Sequence, residues 1–225
     1  MHICVEGNIG SGKSTLCKKL AKKFSEFEIP CEILPEPVDI WQQFYDYNLL
    51  DLMYKDPKKN AYAFQNLALT SKVDQLQRYS TENILVERSI YAQKNVFIPA
   101  LANQGNITEM EHLLLDYAVN VMTSIEVMQP TIYIYLKVPP IICLDRLRQR
   151  GRNEEKMVDI EYLQSIDKLY ESWMRTERKA QVIVLEEPFD LNLLMLNLKF
   201  ANFGLQDKEK KKEEKSKALK RKYPK

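Results

Sequence analysis

The stretch Gly7-Asn-Ile-Gly-Ser-Gly-Lys-Ser-Thr15 spaces glycines, a lysine and hydroxyl side chains as a phosphate cradle requires. Gly7, Gly10 and Gly12 let the backbone turn tightly and aim N–H groups inward, with Asn8, Ile9 and Ser11 between them. Lys13 brings a cation to the outer phosphates, and the Ser14 hydroxyl, ahead of Thr15, is able to ligate Mg²⁺. The apolar run Ile3–Glu6 precedes the loop and a helical pattern follows it, so the strand–loop–helix context of G-x-x-x-x-G-K-[ST] is complete. A GTPase, a motor and a kinase all share such a cradle. Which of them this chain is depends on the acceptor side.

Three further groups bear on the acceptor. Glu36 stands between Pro35 and Pro37, on a stiffened backbone just after a strand-like run, where a general base would be held still. The segment Asn83-Ile-Leu-Val-Glu-Arg-Ser89 is apolar until Glu87 and Arg88. A carboxylate closing a buried strand beside a phosphate loop is placed to hold Mg²⁺, and the adjacent arginine to bridge base and phosphoryl group. Arg146, Arg148, Arg150 and Arg152 crowd around Gly151, and guanidiniums so close suit the spread charge of a phosphoryl group in transfer. The break at Gly151 makes this segment a candidate lid. Taken singly, the plain readings are a surface glutamate, a structural ion pair and a solvated basic helix face.

Elements that could position these groups alternate along the chain. Short apolar runs at Ile3–Glu6, Glu32–Pro35, Ile84–Glu87, Thr131–Leu136 and Gln181–Leu185 predict strands covered on both faces. Helices are predicted over Lys13–Phe24, Ala61–Tyr79, Thr108–Met128, Pro140–Gln149, Ile160–Lys179 and Asp190–Phe200, with Thr108 and Glu111 as a capping box. The alternation implies an α/β fold, a mostly parallel, five-stranded sheet with helices on both faces, binding ligands beyond the C-terminal strand ends.

The chain has 225 residues, enough for one sizeable domain, and 45% hydrophobic with 28% charged residues fits a globular protein. No apolar run reaches the ~18 residues of a membrane span, and the start shows no signal or transit pattern. Cys4, Cys17, Cys31 and Cys143 are scattered, which suggests reduced, buried thiols of a cytoplasmic protein. Residues 205–225 hold ten basic and four acidic side chains, so a domain over 1–204 is expected to be followed by a basic tail, disordered or a solvated helix. Tyr223 is the sole aromatic side chain among these charges, which is not the interleaved pattern of a nucleic-acid surface, so nucleic acid is not expected as a partner.

Taken together, the motifs resemble those of the deoxynucleoside kinases, from Ile3 to Phe189 in one order. The likeness rests on Glu6 through Thr15, Pro35-Glu-Pro-Val38 with Trp41, Leu52-Met-Tyr54, Phe64-Gln65, Glu87-Arg-Ser89 with Tyr91, and Arg146 through Glu155. It implies transfer of the γ-phosphoryl group of ATP to a deoxyribonucleoside 5′-hydroxyl, with Glu36 as base and Arg88 orienting it. It also implies Mg²⁺ on Ser14 and Glu87, the sugar 3′-hydroxyl on Tyr54 and Glu155, and the base edge on Gln65. Phe64 and Trp41 would flank the base, with Leu50 and Met53 completing the walls. Arg146, Arg150 and Arg152 would form the lid over ATP, and Phe189 would lie near the adenine. Members of the family tend to dimerise, so a homodimer is expected. Where members carry an arginine–aspartate pair or small residues near the base's polar edge, this chain has Lys72 and Gln93, from which a pyrimidine preference is expected. The rival enzyme reading is a thymidylate-type nucleoside-monophosphate kinase, which needs spare cations for an acceptor phosphate. The rival of another class is a phosphate-loop switch whose basic tail engages nucleic acid.

Overall fold

The structure is a computed structural model that describes residues 1–79, 81–125 and 128–198. The chain divides into Met1–Glu187, which carries the fold described next, and Pro188–Lys225. In the second unit residues 191–198 are helical. The basic tail, 205–225, and the last two residues of the helix expected up to Phe200 lie outside the described residues.

Strand β1 (His2–Gly7) is buried throughout and leads through the glycine loop into helix α1 (Lys13–Glu26), which buries Leu16, Leu20 and Phe24 along one stripe. Strand β2 (Glu32–Leu34) stops before Pro35, which has no N–H to offer a neighbouring strand. Helices α2 (Val38–Gln42), α3 (Leu49–Lys55) and α4 (Pro57–Gln77) follow. The α4 helix starts before the expected Ala61 because the Asp56 side chain accepts from the Lys59 N–H and Pro57 sits in the first turn, where its missing N–H costs nothing.

Strand β3 (Ile84–Glu87) is followed by α5 (Ile90–Ala92), a π-helical turn (Gln93–Phe97) and α6 (Ile98–Asn103), none of them expected from the sequence. Pro99 reads as a helix breaker, yet the wider π turn and its place in the first turn of α6 accommodate it. Helix α7 (Glu109–Thr123) begins at the Thr108–Glu111 capping box, as the sequence predicts. Strand β4 (Ile132–Lys137), helix α8 (Pro140–Arg150), helix α9 (Ile160–Thr176) and strand β5 (Gln181–Glu186) complete the unit.

All five strands are parallel, in the order β2-β3-β1-β4-β5, so the expected mostly parallel sheet is wholly parallel. Ile3, Cys4, Val5, Leu85 and Val86 are at most 1% exposed at its centre, where each large aliphatic side chain contributes about 1.5–3 kcal/mol by burial. Register then decides what meets at the rim. Leu34 pairs with Val86, and Val86 with Cys4, so the next residues of all three strands lie side by side. Those residues are Pro35–Glu36, Glu87–Arg88 and Val5–Glu6, with β1 running one residue further, to Gly7, beside β4.

Candidate active site

The glycine loop curls back over the end of β1, and its geometry dictates its residue types. Gly7 and Gly10 have φ of 144° and 79°, and a Cβ on Gly10 would stand 2.5 Å from the Cys143 carbonyl oxygen of α8. Ile9, Gly10, Gly12, Lys13, Ser14 and Thr15 line an open cleft of about 790 Å³. Gly7, Asn8 and Ser11 form the underside of the loop. The Asn8 side chain is spent on bracing it, donating to the Leu163 carbonyl at 2.8 Å and accepting from the Ile9 N–H. Lys13 Nζ donates to the Gly7 and Asn8 carbonyls at 3.2 and 2.7 Å. Burial, with Arg88 adding to it, lowers the Lys13 pKa to about 8, against the pull of Glu36, Glu87 and Glu6.

Beside the loop the three strand ends deliver their side chains. Ser14 Oγ donates to Glu87 Oε1 at 2.6 Å, so two hard oxygen ligands converge next to the phosphate cradle. This donor set fits Mg²⁺, which takes one or two protein oxygens and completes its shell with water and phosphate. Arg88 Nη1 lies 3.0 Å from Glu36 Oε1, and Nη2 donates to the Gly7 carbonyl at 3.2 Å. Its guanidinium also lies over the Phe97 ring, 4.5 Å from the centroid. Burial would push the Glu36 carboxyl up, but Arg88, Lys13, Lys72 and Arg152 together outweigh it and hold the pKa below the ordinary value. Glu36 is therefore ionised at neutral pH, as a base must be. Arg88 itself has φ 61°, a left-handed conformation that costs a non-glycine residue roughly 1–3 kcal/mol.

A narrow cavity of about 50 Å³ opens on the other side of the pair. Trp41 and Phe64 meet edge to face in its wall, with ring centroids 5.5 Å apart, and Leu50 and Met53 pack into the same cluster. Tyr54 and Glu155 also line it. So do Gln65 and Gln93, and the side-chain carbonyl oxygens of both amides are buried without a hydrogen-bond partner among the described residues. Two buried amides left unsatisfied in one small pocket call for a polar, planar guest.

Lys72 departs from the sequence expectation. Its ammonium does not line this pocket but turns to the ends of β2 and β3, donating to the carbonyls of Pro35 (3.4 Å) and Glu87 (3.1 Å) and to Gln75 Oε1 (3.2 Å). A buried ammonium has to find acceptors, and carbonyls at strand ends supply them.

On the opposite wall, the lid arginines are engaged with carboxylates. Arg150 and Arg152 both pair with Glu155, the latter at 2.8 Å, and Arg146 pairs with Glu187. Arg148 is exposed and does not line the cleft. Phe189 belongs to the second unit, Pro188–Lys225.

Four contributors carried no usable sequence signal. Phe97 supports Arg88 from an unforeseen π turn, and Tyr162 lines the narrow cavity. Tyr170 donates to the buried Glu6 carboxylate at 3.1 Å. Glu154 reads as a solvated acid, yet it accepts from Gln42 at 2.9 Å and Asn48 at 2.8 Å, tying the lid turn (Asn153–Met157) to the end of α2 and the start of α3.

The arrangement can hold a triphosphate on one side and a planar polar molecule on the other, with an ionised carboxylate between. Among known proteins, the sequence model of the deoxynucleoside kinases matches residues 3–203. Human mitochondrial thymidine kinase 2 is 33% identical over 174 residues, 76% of this chain; the alignment spans 63% of the human enzyme's length. A probable deoxycytidine kinase of fowlpox virus is 35% identical, covering 82% of this chain and 77% of the viral protein. A thymidine kinase of Ictalurid herpesvirus 1 is 36% identical over 79% of this chain and 76% of its own length. A relative named deoxyguanosine kinase matches as well.

Proposed function

The chain belongs to the deoxynucleoside kinase family, and we propose that it transfers the γ-phosphoryl group of ATP to the 5′-hydroxyl of a deoxyribonucleoside. The observation that carries this reading is the Glu36–Arg88 pair, set between the phosphate loop and a pocket of aromatic rings and unsatisfied amides. An alcohol acceptor needs a base, and Glu36 is an ionised carboxylate held where a 5′-hydroxyl would enter. Arg88 fixes its direction and faces the phosphoryl group. Lys13 and the loop N–H groups hold the outer phosphates, and Ser14 and Glu87 would hold Mg²⁺, which neutralises phosphate charge when bound. Tyr54 and Glu155 serve the sugar 3′-hydroxyl, Trp41 and Phe64 flank the base, and Gln65 and Gln93 read its edge.

The monophosphate-kinase alternative is not favoured. Glu36 and Glu155 face the base pocket beside Arg88 and Arg152, and an acceptor phosphate, anionic and already a nucleophile, would meet these carboxylates and have no use for a base.

With Lys72 engaged elsewhere, base choice rests on two amides and a narrow cavity. Amides satisfy the carbonyl and ring-nitrogen edge of a pyrimidine in either orientation, so thymidine and deoxycytidine are preferred over purine deoxynucleosides. The test is a panel of the four natural deoxyribonucleosides and their monophosphates with ATP and Mg²⁺. Phosphorylation confined to monophosphates would overturn the reaction, and a purine as best substrate the base preference alone.

Met110, Leu113, Leu114, Tyr117 and Val121 are exposed along one stripe of α7 and support a homodimer through that helix. Sedimentation should show Leu113→Asp with Tyr117→Asp as a monomer if so. Among the described residues no helix is long and apolar enough to cross a membrane. The four free cysteines support a reducing, cytoplasmic setting.

A further inference from the structure

Two buried charges have no part in the reaction as described. Glu6 is fully buried beneath the phosphate loop and Lys72 is buried on α4, and neither lines the cleft or the base pocket. Both reach the peptide groups on either side of Arg88. Lys72 Nζ donates to the Glu87 carbonyl at 3.1 Å, in the peptide that precedes Arg88. The N–H of that same peptide donates to the Val5 carbonyl at 3.0 Å. The Ser89 N–H, in the peptide that follows, donates to Glu6 Oε1 at 2.7 Å. Between these fixed peptides lies the left-handed φ of 61°.

We propose that Glu6 and Lys72 are positioning residues for phosphoryl transfer, opposite charges that grip the peptides flanking Arg88 and so aim its guanidinium at Glu36. The grip rests on the reading of Glu36 as base and Arg88 as its partner.

The physical case starts from the strain. Left alone, Arg88 would relax to a negative φ, and its Cβ would swing to a different direction. The guanidinium could not then keep Glu36, the Gly7 carbonyl and the Phe97 ring together. A strained residue persists only where its surroundings over-determine it, and charge-assisted hydrogen bonds in a buried setting do this better than neutral ones. Tyr170 holds the other Glu6 oxygen from α9, so the carboxylate cannot rotate away. Lys72 also donates to the Pro35 carbonyl, one residue before Glu36, so a single ammonium touches the backbone leading to both members of the pair. Both groups stay buried at a cost: burial raises the Glu6 pKa and lowers that of Lys72, against neighbours that favour the charged forms.

The test compares Glu6→Ala and Lys72→Met, singly and each combined with Arg88→Ala, at saturating ATP and with thymidine and deoxycytidine in turn. A misplacement of the catalytic pair of this kind costs about 10²-fold. Each single variant is expected to lose that in kcat, with KM for the nucleoside nearly unchanged. In the Arg88→Ala background neither is expected to lower kcat further, because the group they aim is gone. Lys72→Met should slow both nucleosides by the same factor. Full additive losses beside a slow Arg88→Ala enzyme would overturn the grip alone, and so would a Lys72→Met change in the thymidine-to-deoxycytidine ratio, which would return Lys72 to base reading. An Arg88→Ala enzyme as fast as wild type would remove the reading beneath the grip, and the grip with it. Glu6→Gln keeps an oxygen for the Ser89 N–H, should lose less than Glu6→Ala, and carries the same cycle if Glu6→Ala does not fold.

Discussion

The two walls of the cleft both pair arginine with glutamate, yet the pairs are built differently. Arg88 and Glu36 have side chains only 8% and 16% exposed, and backbone contacts on both sides of Arg88 fix their geometry. Arg146 and Glu187, on the lid side, are 36% and 40% exposed and sit on flexible side chains. An exposed ion pair contributes about 0–1 kcal/mol, so an incoming phosphate can displace it at little cost. Breaking a buried pair by removing one partner costs roughly 3–5 kcal/mol, which keeps the inner wall set before either substrate arrives. The inner wall is prepared in advance; on the other wall Arg146–Glu187 is open enough to be exchangeable, whereas the Glu155 that holds Arg150 and Arg152 is itself only 5% exposed.

The sharpest way to break that contrast is at the prepared wall. Glu36→Gln should lower kcat by about 10²–10⁴ while deoxynucleoside affinity by calorimetry stays nearly unchanged. Near wild-type kcat at saturating substrates would take Glu36 out of the mechanism.

At the exchangeable wall, losses should be smaller and fall on ATP. Arg150→Ala and Arg152→Ala each remove a cation that lines the cleft and a charged hydrogen bond to Glu155, and should lower kcat/KM for ATP about 10–100-fold. A loss confined to the nucleoside KM would show that these arginines serve Glu155 rather than phosphate.

Lys13 sharpens the comparison through pH. Its pKa is lowered to about 8, by burial first. A triphosphate favours the ammonium form and raises that pKa, so binding takes up a proton at and above pH 8. ATP affinity should be full below that pH and then fall as pH rises, by up to about tenfold per unit. Calorimetry at pH 8 in two buffers of different ionisation enthalpy measures the uptake, and equal heats would refute it.

The smallest effect is expected at residues 205–225, whose ten basic and four acidic side chains offer little to pack. Deleting them should leave kcat and melting temperature unchanged. A large drop in either would mean that the tail docks on the domain.

Much of the molecule was legible in the sequence because it depends on near neighbours. The glycine spacing from Gly7 to Gly12, the five apolar runs and the Thr108–Glu111 box are local features, and each appears where its residues predict. The short helices α2, α3, α5 and α6 were not legible. Segments of three to seven residues are too short to show a period or to be stable alone, and tertiary packing supports them. Lys72 failed for a related reason. Its place on the same face as Phe64 and Gln65 follows from helical spacing, but which acceptor its long side chain reaches depends on where β2 and β3 end.

The sequence by itself therefore determined the kinds of chemistry present: a phosphate loop, a carboxylate between prolines, a carboxylate and arginine closing a strand, and a cluster of arginines. Only the tertiary structure decided which of these act together. Ser14 meets Glu87 across 73 residues of chain, and Glu6 meets Ser89 across 83, because parallel register brings the three strand ends level. No local pattern encodes that register. It follows from burying β1 between β3 and β4, where slipping one residue would turn every side chain to the opposite face.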